Sequence, residues 1–487
     1  MRIKALAIPL LLSLINLNPA GATTLKEVVN DVLETNPIVR ERLKNYNATR
    51  EEVDIAQAGY YPTLDLQTGV GKKYTGRLSN HVAEETYDVF QNSLILRQNV
   101  FSGFSTKEQV NYQKMRTLAA AYSYLEKAND LTLQTIKVYL ELFKEQEILY
   151  NSKVNVDHNE KIYEKVQKAY KAGLTTLSEV SKIRSSLSLA KSNMMVQKNK
   201  LSNAMFNFRR VTGHLVSLKK LGKVKFNLKL PDNLQKATMY ALEYNPSLLV
   251  GKYNIKGAEA LYRESKSNFY PKIDIEVNGN YNNNFSATGL RDDDIQGMVV
   301  LSYNLFNGGA DEATKRNRLS KLSQEVEVTH DLKRQVVEGM DLSWSAYELA
   351  LDQMPFLKKY RKESGETLKL YAKEYDMGAR SLLDLLAAEN DLKRAKDELV
   401  NAKYSLLLSK YRILDAMGLT MASIMGNVQK YYKRVGIYTK GKRPKQDTLP
   451  IHLDSDGDGI VSNKDTCAAS KKKYGVYPSG CAKKFEF

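Results

Sequence analysis

One internal duplication constrains the fold of this chain more than any other feature. The pair Asn36-Pro37 recurs 209 residues later as Asn245-Pro246. Tyr61-Pro62 recurs as Tyr270-Pro271 at the same spacing. Matches that keep one spacing over long stretches of sequence indicate that a single structural unit is present twice.

The spacing between the two copies changes once. Asn-Val-Phe-Ser-Gly at 99–103 recurs as Asn-Leu-Phe-Asn-Gly at 304–308, so the spacing is 205 from there on. The later matches at this spacing are Tyr170 and Tyr375, Gly173 and Gly378, Leu177 and Leu382, and Gly213 and Gly418. The first copy therefore has a longer loop between its Tyr-Pro and Asn-x-Phe motifs. We assign residues 23–232 to repeat 1 and 233–420 to repeat 2.

Each repeat begins with one helix of about 35 residues, which the Tyr-Pro pair ends because proline disfavours helix in the preceding residue. Alternating apolar and polar residues follow and predict two strands with a polar loop between them. The predicted strands are about 63–71, 91–101, 272–281 and 296–306, and the predicted loops are 72–90 and 282–295. Such alternation suits a barrel strand with lipid on one face and water on the other. An ordinary half-buried strand produces the same pattern.

After the strands, both repeats have a helical pattern. No proline or glycine occurs between Ser105 and Ala172, which predicts one helix about 100 Å long at 1.5 Å per residue. Gly173 and Gly378 mark the turns at which another helix returns. In repeat 2 the return helix carries a heptad, Leu385, Leu392, Leu399, Leu406 and Ile413. A strict seven-residue repeat predicts coiled-coil packing between neighbouring helices.

The strands are too few to close a barrel within one chain. Open strand edges are not tolerated in lipid, and known outer-membrane barrels begin at about eight strands. If the strands span a membrane, several chains must share one barrel.

The amino terminus predicts export. Arg2 and Lys4 precede an apolar run, and Ala20-Gly21-Ala22 supplies small residues at a cleavage site, so residues 1–22 are expected to be a signal peptide. Export makes nucleic acid an unexpected partner despite a net charge of +18. The five histidines are scattered, and neither a Walker loop nor a GxSxG motif occurs, so we do not expect an enzyme.

The order of these motifs resembles the TolC family of outer-membrane channels, over roughly residues 24–420. The resemblance implies a mainly α fold with a β-barrel part. In that family, three chains build a twelve-stranded outer-membrane barrel, which a periplasmic α-helical coiled-coil tunnel continues. The resemblance also implies outer-membrane lipid around the barrel, and a periplasmic adaptor and an inner-membrane ABC transporter as partners.

The resemblance further implies a gate at the periplasmic helix tips. The family motif Tyr-x-x-Gly-x-Arg-x-x-x-Asp is present as Tyr375, Gly378, Arg380 and Asp384. Its partner in repeat 1 is an acidic residue after the turn at Gly173, here Glu179, next to Ser178. In the family, the tyrosine and the arginine bond to that acid and keep the tunnel closed. The alternative is that these charges only solvate a helical hairpin.

Further details, such as Ala-Gly-Tyr-Tyr-Pro-Thr-Leu at 58–64, look most like the type I secretion branch. The resemblance therefore implies a passive duct that exports large adhesin or RTX-type proteins. One alternative is the outer-membrane component of a tripartite multidrug efflux pump. A second alternative, a secreted structural coiled-coil protein, explains the helices and the export but leaves the matching strand pairs unexplained.

The residues after the repeats form a separate segment. A basic linker is predicted at 421–450, followed by a small module at 451–487. A calcium-binding loop is indicated by its oxygen ligands at alternate positions, which are Asp454, Asp456, Asp458, the Ile460 carbonyl and Asp465. Cys467 and Cys481 follow, and in an oxidising periplasm we expect them to form a disulfide. The module resembles calcium-binding repeats found beside OmpA-type domains and in thrombospondin type 3 repeats.

Overall fold

A computed structural model describes residues 23–75, 85–214, 218–284 and 291–437. The predicted signal peptide lies outside the described residues. So do the 438–450 part of the basic linker and the whole module at 451–487. The module contains the predicted calcium ligands Asp454, Asp456, Asp458, Ile460 and Asp465 and the cysteines Cys467 and Cys481.

The chain forms two compact units, and each draws on both sequence repeats. The first, which we call the helical unit, comprises 23–36, Gln134–Asn227 and Ala350–Leu408. The second, the sheet unit, comprises Pro37–Leu133, Leu228–Leu349 and 409–437. The boundaries of the compact units therefore differ from those of the repeats.

The sheet unit contains one four-stranded antiparallel sheet in the order β1-β2-β3-β4. The strands are β1 Thr63–Thr75, β2 Glu85–Phe101, β3 Lys272–Asn284 and β4 Arg291–Ser302. The strands reach farther into the loops than predicted, because polar pairs such as Lys72 and Asp88 continue the ladder. The last strand ends at Ser302 rather than at 306, since the Asn304 side chain accepts a hydrogen bond from the Phe306 N–H and forms a turn.

One face of this sheet is apolar and exposed. Its side chains share a face because they lie opposite one another in register: Leu64, Leu66 and Val70 of β1, Leu96, Leu94 and Phe90 of β2, Ile275 of β3, and Val299, Leu301 and Ile295 of β4. The other face carries polar pairs, such as Arg97 with Glu276 at 2.8 Å and Asn99 with Asp274 at 2.7 Å. A continuous exposed apolar face of this kind marks a surface that contacts lipid or protein.

The long helices of the two repeats match residue for residue. Helix α3 spans Ser105–Lys171 and α7 spans Ala310–Asp376, each 67 residues long, and the return helices are α4 Leu177–Thr212 and α8 Leu382–Ala416. The ends of α3 and α7 lie at the 205-residue spacing found in the sequence. Among the described residues, none of the helices combines the length and apolar character needed to span a membrane.

The single helix predicted before each Tyr-Pro pair is wrong, because each Asn-Pro pair divides it. The resulting helices are α1 Leu25–Thr35, α2 Pro37–Ala58, α5 Leu234–Tyr244 and α6 Pro246–Glu264. Asn36 and Asn245 have extended backbones, and each side-chain amide donates a 3.0 Å hydrogen bond to a carbonyl at the end of a return helix, Val211 and Ala416 respectively. The recurring asparagine therefore anchors the start of one helix to the end of another.

The start of the predicted basic linker is also folded. Helix α10 Gln429–Arg434 lies within it, and α9 Thr420–Met425 begins at the last residue of repeat 2 and continues into it. Apolar side chains in and beside these helices are buried in the sheet unit, namely Met421, Val428, Tyr431 and Val435. The Met421 N–H also donates to the Asn129 side chain at 2.9 Å. The linker prediction gave weight to the positive charges and overlooked this apolar spacing.

The glycines that end the return helices provide a matched test of backbone crowding. Gly213 and Gly418 both have positive φ, at 84° and 72°. An added Cβ would meet nothing within 4 Å at Gly213, whereas at Gly418 it would lie 2.5 Å from Cδ of Pro246. We expect Gly213→Ala to cost about 1 kcal/mol through the left-handed backbone alone. Gly418→Ala should cost clearly more, measured as the loss of thermal stability by circular dichroism. Equal losses would contradict the role of the Pro246 contact.

Candidate functional site

Two turns of the helical unit join the long helices to their return helices, and they are built alike. Gly173 and Gly378 have φ of 72° and 75°, a conformation that glycine adopts without steric cost. The residue after each glycine donates its N–H to a carbonyl five positions earlier, both at 2.9 Å, from Leu174 to Ala169 and from Ala379 to Glu374. These are the hydrogen bonds of a Schellman motif, which ends a helix sharply.

Glu179 lies in the first turn of α4 and takes part in its cap. The Thr176 side chain accepts a hydrogen bond from the Glu179 N–H at 3.4 Å, and the Thr175 hydroxyl donates to the Glu179 carboxylate. The hydroxyl of Ser178 lies 2.7 Å from that of Thr176. A carboxylate here is also favoured by the positive end of the helix dipole. Glu179 therefore has a local structural role within its own turn.

Asp384 has the equivalent role at the start of α8. The Ser381 side chain accepts from the Asp384 N–H at 3.2 Å and donates to the Asp384 carboxylate at 2.8 Å. Both acidic residues that the resemblance assigned to the gate are thus positioned by capping interactions.

Arg380 forms its ion pair within the α7–α8 turn. Its Nε and Nη2 lie 2.9 and 2.8 Å from one carboxylate oxygen of Glu374. Its guanidinium lies over the Tyr371 ring, 4.2 Å from the centroid, in a cation–π contact. Within the described part of one chain, Arg380 therefore pairs with Glu374, and the Arg380–Glu179 bond that the resemblance implied is not formed.

Tyr375 connects the two turns through packing. Its half-buried ring lies against a cluster of buried side chains from both helix pairs, namely Val166, Val180, Ile183, Leu382 and Leu386. Burial raises the pKa of the Tyr375 hydroxyl, and the nearby negative charge of Glu179 adds to this shift. Lys165 of α3 also contacts Asp376 of α7 at 3.0 Å. The turns of the two repeats are therefore held side by side.

Glu374 and Tyr371 were not identified as site residues from the sequence. A glycine turn separates Arg380 from both, so no helical spacing connects them. The six-residue separation of Arg380 from Glu374 can be understood only once the turn geometry is known.

Beyond the turns, α3 and α8 meet along a charged contact that we call the α3–α8 seam. Glu389 of α8 is 4% exposed, and His158 Nδ1 lies 3.0 and 3.1 Å from its two carboxylate oxygens. The Asn155 amide donates to the same carboxylate at 3.2 Å. A buried carboxylate requires such partners, because removal from water is costly for an unpaired charge.

The seam continues along both helices. Glu147 of α3 accepts from Lys403 at 2.9 Å and from the Tyr404 hydroxyl at 2.8 Å. Asn151 donates to the Asp397 carboxylate at 2.9 Å. Polar and charged pairs therefore fix the register of α3 against α8.

Nothing in this arrangement points to catalysis or to a metal ion. In the ranges that the structure describes, no three His, Cys, Asp or Glu side chains are grouped so as to hold a metal. The site consists of two glycine turns, their caps and a charged helix contact.

Comparison with known proteins assigns the family. The profile of the outer membrane efflux protein family matches residues 28–214 and 239–419. The match covers both repeats and more than half of the chain. The chain therefore belongs to the outer membrane efflux protein family, and the resemblance to TolC-type channels is confirmed. Members of this family are ducts, so the protein is not an enzyme.

Several relatives match over most of their length. The outer membrane efflux protein BepC of Brucella suis is 22% identical over 387 residues, which are 79% of this chain and 82% of that protein. The outer membrane protein TolC of Escherichia coli is 23% identical over 76% of this chain and 77% of its own. The proteases secretion protein PrtF of Dickeya chrysanthemi is 21% identical over 80% of this chain and 87% of its own.

Solved structures confirm the fold class. The outer membrane channel CmeC of Campylobacter jejuni superposes with a TM-score of 0.73 at 14% identity, covering 84% of this chain and 89% of that chain. The prediction of a mainly α fold with a barrel part is thereby confirmed.

The α3–α8 seam predicts a dependence of stability on pH. The hydrogen bond to Glu389 raises the pKa of His158, and burial opposes this effect. A raised pKa in the folded state stabilises the fold below the unfolded value of about 6.5, and this contribution disappears as the pH rises through the folded value. Between pH 6 and pH 8 we expect the free energy of unfolding to fall by less than about 1 kcal/mol. The measurement is the thermal midpoint, which should fall slightly over the same range.

The control is a second histidine. His158→Gln should remove this pH dependence, whereas His330→Gln should leave it unchanged, because His330 is exposed, lies outside the seam and contacts the exposed Glu327 at 3.5 Å. An identical pH profile for wild type and His158→Gln would show that the seam does not titrate.

Proposed function

We propose that this protein is the outer-membrane channel of a type I secretion system, a passive trimeric duct for large adhesin or RTX-type proteins. The observation that carries the duct is the open four-stranded sheet with its exposed apolar face. In lipid, the free edges of β1 and β4 need partner strands. Three chains supply twelve strands, and the apolar face then meets outer-membrane lipid.

In this proposal the helical unit lies in the periplasm and its turns face the inner membrane. A periplasmic adaptor and an inner-membrane ABC transporter engage the turns at Gly173 and Gly378. The signal peptide delivers the chain across the inner membrane. The calcium loop and the Cys467–Cys481 disulfide stay predictions, in a module that follows the tunnel.

Two observations support secretion. The match to PrtF, whose name describes it as a secretion protein for proteases, extends over 87% of that relative. The resemblance of residues 58–64 to the type I secretion branch agrees with it. The efflux alternative is supported to a similar degree by the match to BepC, so an experiment must separate the two.

The decisive comparison uses the secreted and surface-exposed proteins of a deletion strain, its parent and the complemented strain. Loss of one or a few very large proteins, restored by complementation and with unchanged drug sensitivity, is the result we expect. An unchanged set of exported proteins together with greater sensitivity to detergents and dyes would contradict secretion and support efflux.

We further propose that the turns form the gate of the duct and that Arg380 keeps it closed. Arg380 is held between Glu374 and Tyr371, and a charge-assisted pair at a narrow tip is a suitable latch for an adaptor to break. Glu179 and Tyr375 lie on the adjoining turns. In this proposal they stabilise the closed arrangement through their packing and charge.

Arg380→Ala should raise single-channel conductance in planar bilayers, because it removes the ion pair and the ring contact that hold the turn. Arg394→Ala is the matched control, since it removes an equal exposed charge that bonds to Asp391 of α8 and Tyr360 of α7, away from the turns. Equal conductance of Arg380→Ala and wild type, or the same rise in both variants, would contradict the latch.

A further inference from the structure

Each long helix and each return helix of repeat 1 has an equivalent in repeat 2. This equivalence identifies surfaces of α4 and α7 to which a second copy of the chain could bind. Helices α3 and α7 are equivalent, as are α4 and α8, at the constant 205-residue spacing. Within the chain α3 packs against α8 along the seam described above. The equivalent partners, α7 and α4, do not show such a seam among the described contacts.

Burial shows that one face of α7 is uncovered. Between 146 and 171, α3 has six buried residues, namely Leu149, Ser152, Asn155, Val156, Asn159 and Val166. The equivalent stretch of α7, 351–376, has none. Two helices of equal length and equivalent position thus differ in coverage, because α3 contacts α8 as well as α4.

The matching face of α4 is uncovered too. The α8 positions that contact α3 are Glu389, Asp397, Lys403 and Tyr404, and their α4 equivalents are Arg184, Ser192, Lys198 and Asn199, all of which are exposed. Farther along α4, Phe206 is 62% exposed, whereas its equivalent Tyr411 is 3% exposed. On α7, Phe356 is 75% exposed at the position equivalent to the seam residue Asn151.

We propose that α7 of one copy of this chain packs against α4 of a second copy in the register of the α3–α8 seam, and that Asp352–Lys198 and Arg184–Glu363 ion pairs join the two copies. The proposal rests on the assembly of several chains in the proposed function. It adds which helix faces meet, the register in which they pack and the ion pairs that join them.

Charge complementarity supports this occupant. The Glu147–Lys403 pair of the seam has Asp352 and Lys198 as its equivalents, so an acid again meets a base. The His158–Glu389 pair has Glu363 and Arg184, in which the signs are exchanged but the attraction remains. All four proposed residues are exposed, and none forms an ion pair within the described part of the chain.

The geometry also agrees with a second copy rather than an unrelated protein. The seam has two charged contacts, and the residues equivalent to each contact at the 205-residue spacing again carry opposite charges. These are Asp352 with Lys198 and Glu363 with Arg184. Along a coiled contact, such charged pairs determine partner choice and register. Exposed Phe356 then lies between the two pairs, and exposed Phe206 adds apolar area farther along α4, beyond Lys198.

Crosslinking tests the register directly. In a background with Cys467→Ser and Cys481→Ser, one chain carries Lys198→Cys and a differently tagged chain carries Asp352→Cys. After co-expression and treatment of the intact membrane assembly with a short bis-maleimide, we expect a dimer band with both tags. The control pair, Glu147→Cys and Lys403→Cys on separate chains, should produce no such band, since these residues meet within one chain.

Charge reversal tests the energetics. Arg184→Glu combined with Lys198→Glu should abolish the heat-stable oligomer on gels, and the further changes Glu363→Arg and Asp352→Lys should restore it. If wild-type oligomers form but neither the mixed crosslink nor the rescue appears, the seam is wrong while the channel function stands. If the wild-type chain is monomeric in the membrane, the proposed function itself fails.

Discussion

The unpaired backbone at the two edges of the sheet is the constraint on which the rest of the structure depends. Among the described residues, β1 and β4 each have a hydrogen-bonded strand on one side only, while the face between them is apolar and exposed. Backbone groups at an open edge hydrogen-bond to water when they are exposed, whereas in lipid they have no partner and are costly. The sheet of one chain therefore has two open edges. Pairing with the sheets of further copies of the same chain is the simplest way to close them.

The helix turns show how one set of residues serves both a local and a functional purpose. Glycine at positive φ reverses the chain, and Glu179 and Asp384 belong to the caps of the returning helices. These needs would place acidic residues at the tips of any such hairpin. Arg380, which bridges to Glu374 across the turn, is less easily explained by capping alone. The proposed gate is thus an addition to a hairpin that is already stable.

Much of the architecture could be predicted because it depends on local pattern. Alternation predicted the strands, the absence of glycine and proline predicted α3, and the repeated glycines located its end. Proline at 37 and 246 should have indicated a helix boundary, yet the asparagine before it acts through a carbonyl 175 residues away in repeat 1. The spacing of residues in the sequence cannot predict such a long-range hydrogen bond. The buried Glu389 was likewise missed, because its heptad neighbours are apolar and its partners lie on another helix.

The exchange of charge between equivalent positions has a consequence for assembly errors. Glu389 faces His158 within the chain, and Arg184 is proposed to face Glu363 between chains. If α8 met the α7 of a neighbour, Glu389 would oppose Glu363, two carboxylates in a poorly hydrated contact. If the α4 of a neighbour met the seam face of α3, Arg184 would oppose His158. Only this position distinguishes the partners, because Lys403 and Lys198 would each attract either Glu147 or Asp352. One exchanged charge pair is thus the feature by which a sequence that repeats itself separates its own partner from its neighbour's.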